Sequence, residues 1–484
     1  MSLTGAFSNA LSGLNAASRA AQLTASNLSN VMTDGYARRE LDVGARALGG
    51  VGGVSVNGIV RHVDLGLISD RRAATSDFAN TNRLAEYYSK LENLVGTPSD
   101  GDSLSARIAD FESALISAAS RPDIENRLDT VLQSARSVAD TFASVSRGIQ
   151  NMRSDADTEI GTTVERLNDA LAETRELNLK IATATIKGRD TSAFEDQRQL
   201  LIDEISEIVP VKQVPRDLGA VALFTPGGAV ILDGTAAEFE FSPVNLVTEH
   251  MTIGAGHLSG LSINGIDLSL DNEQGHIHGG RLAALFEIRD ELAPAAQAQL
   301  DANARDLVER FQDSGLDPTL FPGDAGLFTD GGAAFAAADE VGLSARLSIN
   351  AAVDPSAGGA TWRLRDGLGA AAPGDVGQAS FLQDLGAALT TLRSPASGAF
   401  SGSAYSVADL QANMLSRIGT DRHLSDQNLT FATTQLNELE ALVLEDGVDS
   451  DQEMQKLMLI EQAYAANAQV MTTIDEMMQT LMRI

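Results

Sequence analysis

One stretch of the sequence, from Ile124 to Gly188, restricts the fold more than any other. Between Ile124 and Met152, apolar residues recur at alternating steps of three and four positions, and nine successive positions of this series carry no polar residue. Such a repeat is typical of a helix that packs along a narrow apolar stripe against other helices. The pattern continues less strictly to Gly188, which predicts a helix of about sixty residues, or about 90 Å at 1.5 Å per residue. A helix of that length cannot enclose a compact core, so the sequence predicts an elongated helical bundle.

Both ends of the chain carry the same repeat. The apolar residues that we assign to this terminal stripe are Leu3, Phe7, Leu14, Leu28, Val31, Leu457, Ile460, Tyr464, Met471, Ile474, Met478 and Leu481. Because an isolated helix of about thirty residues is marginal in water, each stripe needs a partner. We predict that the two ends pair with each other and that the pair packs against neighbouring copies, as in a polymer subunit. The periodicity also permits a second interpretation, in which two amphipathic helices close an ordinary globular domain.

The order of patterns along the chain is nested, which brings both termini to one end of the molecule. Segments with helical periodicity begin and end the chain, and two glycine-rich, β-like insertions interrupt them in between. We therefore predict a mainly α fold with β insertions, elongated and divided into several domains. The predicted divisions are a terminal-helix coiled coil at 1–35 and 450–484, an extended connector at 36–62, a long α-helical bundle at 63–209, 281–324 and 405–449, and a β-rich outer domain at 210–280 and 325–404.

Local signals add detail to this outline. A Thr-Pro-Gly-Gly turn between two apolar runs predicts a β-hairpin from Val221 to Leu232, and a further strand is expected at Thr361–Leu364. Ser192 and Ser450 each begin a Ser-x-x-Glu sequence, which predicts a capping box at the start of a helix.

The charge and composition exclude several classes of function. Sixty-six acidic residues against thirty-five basic ones give a net charge of −31, which repels phosphate backbones and anionic membranes, so neither nucleic acid nor membrane is an expected partner. The absence of cysteine excludes disulfides and thiolate sites. No apolar run reaches the roughly eighteen residues of a membrane span. The first residues lack a basic segment before Arg19 and a continuous apolar core, so they are not a secretory signal peptide, and if the protein leaves the cell we expect a route that reads no cleavable signal.

No catalytic motif is present, and we expect neither a cofactor nor a metal ion. The sequence lacks the zincin, nucleophile-elbow and P-loop patterns. His276 and His278 have a spacing that metal sites use, with His257 and Glu273 near them in sequence, but this pattern is common by chance. A secreted metal-dependent enzyme with its site at these residues is thus the weakest alternative.

Several segments resemble bacterial flagellar axial proteins. The amino-terminal signature of rod, hook and hook-associated proteins is similar to Ser12–Ala17, Ala25–Asn30 and Thr33–Arg38. Later segments resemble the first hook-associated protein family more narrowly, and these are Leu177–Gly188, Phe194–Ser206, Gly279–Asp290, Gly447–Asp449 and Glu461–Val470.

The resemblance implies a structural, non-enzymatic subunit of the hook–filament junction, secreted and located in the extracellular flagellum. It implies export through the flagellar type III system, with a cytosolic chaperone bound to the carboxy-terminal helix. The implied partners are the hook protein, the second hook-associated protein and other copies of the chain in a ring of about eleven. Another axial subunit, such as a hook, distal-rod or flagellin-like protein, is the principal alternative.

Overall fold

The computed structural model describes residues 3–46, 52–244, 246–268, 277–313, 315–400 and 404–483. Its helices are α1 (Leu3–Ser29), α2 (Leu65–Val95), α3 (Leu104–Ser120), α4 (Glu125–Ile186), α5 (Ser192–Ile208), α6 (Gly280–Glu287), α7 (Ala293–Gln312), α8 (Leu343–Arg346), α9 (Arg363–Asp366), α10 (Ser380–Thr390), α11 (Val407–Glu445) and α12 (Ser450–Arg483). Its strands are β1 (Arg39–Ala45), β2 (Val54–Arg61), β3 (Lys212–Pro215), β4 (Val221–Phe224), β5 (Val230–Asp233), β6 (Thr235–Ala236), β7 (Phe239–Glu240), β8 (Ser262–Ile263), β9 (Ile266–Asp267), β10 (Phe328–Asp330) and β11 (Leu347–Ile349).

The strands form small antiparallel sheets between long helices. β1 pairs with β2, β3 to β6 form a meander, β7 to β9 form a second meander, and β10 pairs with β11. The mainly α fold with β insertions is therefore confirmed, as is the hairpin expected between Val221 and Leu232. Between residues 325 and 404 the described sheet is only the β10–β11 pair, and the other regular elements described there are α8, α9, α10 and three short 3-10 helices, Ala337–Asp339, Ala351–Val353 and Pro355–Ala357.

The long helix predicted from the heptad pattern is α4, which runs without interruption for 62 residues. Its stripe residues from Leu128 to Ile149 are 2% exposed or less, and α3, α5, α7 and α8 all pack against α4 along its length. Gly148 allows α2 to approach closely, since a Cβ atom there would lie 2.5 Å from the Cδ atoms of Leu94. The heptad pattern thus gave both the length of the helix and the face that it buries.

A single apolar core joins the helices of the body. It extends from Tyr87 of α2 through α3, α4, α5, α6, α7 and α10 to Ile418 of α11. Among the described residues, those of α1 and α12 do not belong to this core. The two terminal helices therefore depend on their contacts with each other and with the β1–β2 hairpin.

A π turn at Ile288–Leu292 joins α6 to α7. Pro294 has no N–H to donate within the helix, so the regular hydrogen-bond pattern cannot continue through it. The N–H of Ala293 instead donates to the carbonyl oxygen of Ile288, five residues earlier. Arg289 lies within this π turn, and its side chain is fully buried in the interior.

Buried charges attach the second half of the first β insertion to α4. Asp157 accepts a hydrogen bond from Arg289 Nη1 at 2.6 Å with one carboxylate oxygen, and one from the Val244 N–H at 2.6 Å with the other. Arg153 donates to the carbonyl oxygen of Met251 at 2.8 Å. Because each buried charge has a partner of opposite sign or a carbonyl dipole, its loss of hydration is offset, and the insertion is fixed to the helix.

Three local predictions were wrong. Residues 361–364 are not a strand, because they have no neighbouring strand to pair with; consecutive turns lead there into α9, which buries Leu364. The N-cap of α5 is Thr191 rather than Ser192, whose hydroxyl donates to Asp190. The start of α12 is capped by Asp449 rather than Ser450. The Asp449 side chain accepts hydrogen bonds from the N–H groups of Asp451 and Gln452.

The buried contacts of Asp157 generate a stability prediction. Replacing Asp157 by alanine removes one partner of Arg289 and the acceptor of the Val244 N–H, and leaves Asp290 as the remaining carboxylate at Arg289. We expect the free energy of unfolding to fall by about 1–3 kcal/mol, measured by urea titration of the helical circular dichroism signal. The matched control is Asp155→Ala, on the exposed side of the same helix, with an expected change under about 0.5 kcal/mol. Equal losses of unfolding free energy in Asp157→Ala and Asp155→Ala would contradict the conclusion that the buried contacts of Asp157 stabilise the fold.

Candidate self-assembly site at the paired terminal helices

The helices α1 and α12 pack side by side in opposite directions. Asn27, near the end of α1, contacts Glu453, near the start of α12, and Gly13 lies against Asn467 further along. A Cβ atom on Gly13 would lie 2.9 Å from the side-chain amide of Asn467, so the glycine permits this close approach. The predicted pairing of the two chain ends is present in the structure.

The face of α1 that contacts α12 is built from small and polar residues. The buried residues of α1 are Ala10, Ala17, Thr24 and Asn27. On α12, Ile474 is buried at 5% exposure. Small side chains let the two backbones come close, so the larger apolar residues lie beside the contact rather than within it.

The predicted stripe residues accordingly differ in burial. Ile474 is buried. The half-buried members are Leu3, Leu14, Leu28, Leu457, Ile460 and Met471, and the exposed members are Phe7, Val31, Tyr464, Met478 and Leu481. Within one chain, pairing of the helices therefore covers only part of the apolar stripe.

Further apolar residues of α12 lie on a different side. Leu459, Val470 and Met477 are separated by eleven and seven residues, and these spacings place them on one side of a helix. Their exposed fractions are 64%, 45% and 47%. We call these three residues the lateral row. A helix that is apolar on more than one side is normally buried on more than one side, so the lateral row is a surface suited to a further helix.

A group of polar residues, which we call the polar clasp, fixes how the terminal helices meet. It consists of Asn27, Arg38, Glu40, Glu453 and Lys456. The side-chain amide nitrogen of Asn27 donates to the carbonyl oxygen of Arg39 and to Glu453 Oε2, each at 2.9 Å, and its oxygen accepts from the Arg39 N–H and the Tyr36 hydroxyl. All four hydrogen-bonding positions of this 1% exposed side chain are used.

The carboxylates of the polar clasp are held by cations from both chain ends. Glu453 is 1% exposed and accepts from Arg38 Nε at 3.1 Å, and Lys456 Nζ lies 3.5 Å from the same oxygen. Lys456 and Arg38 also contact Glu40, whose other oxygen lies 2.8 Å from His62 Nε2. Hydrogen bonds from Lys456 and then His62, with the charge of Arg38, lower the pKa of the Glu40 carboxyl to about 2 against the opposing effect of burial.

The β1–β2 hairpin connects the terminal pair to the helical body. Arg39 of β1 and Arg61 of β2 both bind Asp196 of α5. Arg61 donates to one Asp196 oxygen from Nε at 2.9 Å and Nη2 at 2.6 Å, and reaches Glu195 with Nη1 at 3.2 Å. The connector predicted from its glycines is thus a paired hairpin, with a bulge at Asp42/Val43, that holds the terminal helices against the body.

Sequence reasoning missed the polar clasp because it searched for apolar repeats. Glu453 was expected to cap α12, but it lies in the contact between the helices. The one sequence feature that could have pointed to a polar contact here is Asn27, a polar residue next to the stripe residue Leu28 and just ahead of the turn that ends α1.

The histidine pair gains no support as a metal site. His257 and His278 are exposed, whereas His276 and Glu273 lie outside the described residues. Over the described parts of the chain, His, Asp and Glu side chains do not form groups of three or more that could hold a metal ion. In the same parts, the helices lack the combination of length and hydropathy needed to cross a membrane.

The low pKa of Glu40 generates a prediction about acid. A carboxyl whose pKa is lowered from 4.5 to about 2 stabilises the polar clasp fully above pH 4.5, and this contribution is lost as the pH falls through about 2. We expect pepsin to cleave α12 increasingly between pH 4.5 and 2, before it cleaves α4. In Lys456→Met the pKa of Glu40 rises, so cleavage begins at higher pH, whereas Lys180→Met on the exposed side of α4 changes nothing. An unchanged profile in Lys456→Met would refute this role of Glu40.

Comparison with known proteins agrees with this architecture. The sequence-family model described as flagellar hook-associated protein FlgK helical domain matches residues 88–318. A second family model, described as flagellar basal body rod FlgEFG protein C-terminal, matches residues 445–484. Flagellar hook-associated protein 1 of Bacillus subtilis is 23% identical over 500 residues, covering 96% of this chain and 95% of the relative.

Two further comparisons cover less. Flagellar hook-associated protein 1 of Escherichia coli is 26% identical over 237 residues, which is 47% of this chain and 43% of the relative. The solved flagellar hook junction protein FlgK of Burkholderia pseudomallei superposes with a TM-score of 0.43 at 20% identity, covering 55% of this chain and 47% of that one. From the matched helical domain, the matched carboxy-terminal segment and the relative aligned along nearly the whole chain, this chain belongs to the FlgK family of structural flagellar proteins, which are not enzymes.

Proposed function

We propose that this protein is the junction subunit between the flagellar hook and filament, and that it polymerises through its paired terminal helices. The observation that carries the proposal is the apolar surface left uncovered when α1 and α12 pair. Phe7, Tyr464 and the lateral row remain at least 43% exposed although they belong to two long, well-formed helices. A monomer in water gains nothing from such a surface, whereas a ring or tube of copies would bury it.

The polar clasp supports this proposal because it presents the apolar surface in a fixed orientation. Repeating contacts between copies require every copy to offer the same surface in the same register. Asn27 and Glu453 are both 1% exposed and bonded to each other, so sliding α12 along α1 would separate the Glu453 carboxylate from Asn27 and Arg38 and leave one N–H of the Asn27 amide without its acceptor. The energetic cost of such orphaned groups, about 1–3 kcal/mol each, favours a single register.

The predicted domain divisions are retained as part of the proposal. The terminal pair at 1–35 and 450–484 would form the inner layer of the assembly, and the bundle formed by 63–209, 281–324 and 405–449 would surround it. The insertions at 210–280 and 325–404 would face outward. The net charge of −31 supports this arrangement, since like charge on the outside keeps unassembled copies apart in solution.

The finer parts of the proposal are suggested by the family resemblance. We propose type III export, a ring of about eleven copies, and contacts with the hook protein below and the second hook-associated protein above. The exposed apolar residues of α12 are a suitable target for a cytosolic chaperone, because they must be shielded until the subunit leaves the cell. We also propose that the protein lies in the extracellular part of the flagellum, and the proposed position between hook and filament supports this location.

The lateral row generates a test that separates assembly from folding. Leu459→Asp and Met477→Asp put charge on exposed positions away from α1, so we expect normal helicity and thermal stability but at least a tenfold loss of polymer in sedimentation assays. Thr472→Asp, on another side of the same helix, is the matched control and should polymerise normally. Ile474→Asp should differ from both, because a charge at this 5% exposed position unpairs the terminal helices of the monomer. Normal polymer from the lateral-row variants would exclude this surface.

The junction assignment has its own test in the source bacterium. Deleting the gene should leave hooks without filaments on the cell surface and filament protein in the medium, both visible by electron microscopy and immunoblotting. A hook or distal-rod subunit would instead be lost together with the hook, and a flagellin-like subunit would leave the junction intact. Either of these outcomes would contradict the junction proposal and identify the alternative position.

A further inference from the structure

The second half of α11 carries apolar side chains that the rest of the described chain leaves uncovered. Leu424, Phe431 and Leu442 are 52%, 72% and 49% exposed. They are separated by seven and eleven residues, and these spacings place them on one side of a helix. We call these three residues the body row.

This half of α11 is packed on a different side. Its buried residues are Ser425 and Ala432, each one position after a member of the body row, or about 100° further around the helix axis. α2 is the helix that packs along α11, and Arg422 binds Glu92 of α2. A helix that is packed on one side and apolar on another has a surface suited to a further neighbour.

The centre of the body row lies in an uncharged part of a strongly acidic chain. Residues 427–437 contain no acidic residue, lysine or arginine, although most of them are exposed and the net charge of the chain is −31. Copies of such a chain repel each other wherever acidic surfaces meet, so an uncharged surface is where they approach at least cost. The lack of charge therefore favours a second copy as the occupant of this surface.

The first β insertion presents a second surface of the same kind. Leu246, Ile253 and Ile266 are 65%, 43% and 69% exposed. Residues 250–266 also contain no acidic residue, lysine or arginine. We call Leu246, Ile253 and Ile266 the insertion row.

The body row can be placed along the helical body from ion pairs between helices. α2 runs opposite to both α4 and α11. Phe431 follows Arg422 by nine residues in α11, and Arg83 precedes Glu92 by nine residues in α2, so Phe431 and Arg83 lie at the same height. Arg83 binds Glu159 of α4 at 2.9 Å. Phe431 is therefore level with Glu159.

The insertion row begins at this same height. Hydrogen bonds from Val244 and to Met251, and the contact of Pro243 with Gly161, fix residues 243–251 beside residues 153–161 of α4. This segment contains the first member of the insertion row and leads directly to the second. Both are therefore close to the level of Phe431.

The far ends of the two rows also match. Leu442 lies eleven residues beyond Phe431, or about 16 Å along α11. Ile266 belongs to the β7–β9 meander, where the Phe239 N–H donates to Asn168 Oδ1 of α4 at 2.9 Å. Asn168 lies nine residues beyond the level of Phe431, or about 14 Å along α4 in the same direction. The rows thus have similar lengths and the same orientation.

We propose that the body row of one copy docks on the insertion row of the next copy. This inference rests on the proposed polymerisation and adds a contact outside the terminal helices. Within one chain, α11 packs on α2 whereas the insertion packs on α4, so the two rows do not cover each other. A contact between two different surfaces, repeated by rotation, generates a ring or a helical tube. The contact uses the flank of the insertion beside α4 and leaves its remaining surface facing outward.

Single thiols test whether the body row becomes covered, because the chain contains no cysteine of its own. Asn428→Cys lies beside the body row, and Asn437→Cys lies on another exposed side of α11. We expect maleimide to react with Asn428→Cys at least tenfold more slowly in sedimented polymer than in monomer, and with Asn437→Cys less than twofold more slowly.

The outcomes separate this inference from the proposed function. If polymer forms and Asn428→Cys reacts as fast as in the monomer, the body-row contact is overturned while polymerisation through the terminal helices stands. If the unmodified chain forms no polymer, both proposals fail.

Cross-linking tests the identity of the docked surface. Ala255→Cys is exposed in the same turn as Ile253. Polymer made from equal amounts of Asn428→Cys copies and Ala255→Cys copies should give at least fivefold more dimer with a short bismaleimide than polymer of either variant alone. Equal dimer from Asn428→Cys alone would show that body rows meet each other, and no dimer from the mixture would show that the insertion is not the partner. Either result would overturn the docking.

A charge at the centre of the body row tests its contribution to assembly. Phe431→Asp replaces a 72% exposed side chain, so we expect unchanged thermal stability but about a tenfold rise in the protein concentration needed for polymer. The matched control is Asn437→Asp, which adds the same charge on another exposed side and should leave this concentration unchanged. An equal concentration for Phe431→Asp and the unmodified chain would overturn the proposal.

Discussion

The hydrogen bonds between Asn27 and its neighbours are the constraint on which the rest of the terminal assembly depends. α1 and α12 lie outside the apolar core that joins the other helices, and their contact surface is made of small residues. Small residues permit close packing but specify register weakly, because one alanine is much like the next. Three partners of the buried Asn27 amide lie at Tyr36 and Arg39, just after α1, and fix its orientation, and its remaining N–H is bonded to Glu453 of α12. Register therefore comes from polar geometry, as when a single buried asparagine fixes the alignment of a coiled coil.

The same residues connect the terminal pair to the body. Arg38, Arg39 and Glu40 are consecutive where β1 begins: Arg38 and Glu40 belong to the polar clasp, and Arg39 binds Asp196 of α5. In an extended strand, alternate side chains point to opposite faces, so Arg38 and Glu40 reach α12 while Arg39 reaches α5. One short strand thus holds two helical layers at once. Because both attachments are ionic, the angle between the layers is set by a few charged groups and does not require continuous apolar packing.

Much of this fold could be predicted from the sequence, and the reasons differ from element to element. α4 was predictable because each of its stripe positions faces the core of the same chain, so its pattern is complete in one molecule. The stripe on α1 and α12 was also visible, but periodicity does not distinguish burial within one chain from burial between chains. Within the single chain, Ile474 is buried while Tyr464 and Leu481 are exposed, a difference that the periodicity alone does not predict. The strand expected at 361–364 failed for a different reason, since strand propensity without a partner strand leaves the backbone unsatisfied.

The polar clasp, and a cavity of about 800 Å³ lined by α2, α4, α7 and α11, were not predictable, because each depends on residues far apart in sequence. Asn27 and Glu453 are 426 positions apart, and no local pattern indicates that a buried carboxylate will find an amide. The alanines of α7 do not predict a cavity either, since alanine is compatible both with tight packing and with an empty space beside it. Whether alanines pack tightly or leave a cavity depends on the side chains of α2 and α11 that face them and on the extra residue of the π turn. Which residues face each other is set by the three-dimensional arrangement. Apolar periodicity therefore gives the layout of such a chain, while its register and its cavities arise from single residues that break the periodicity.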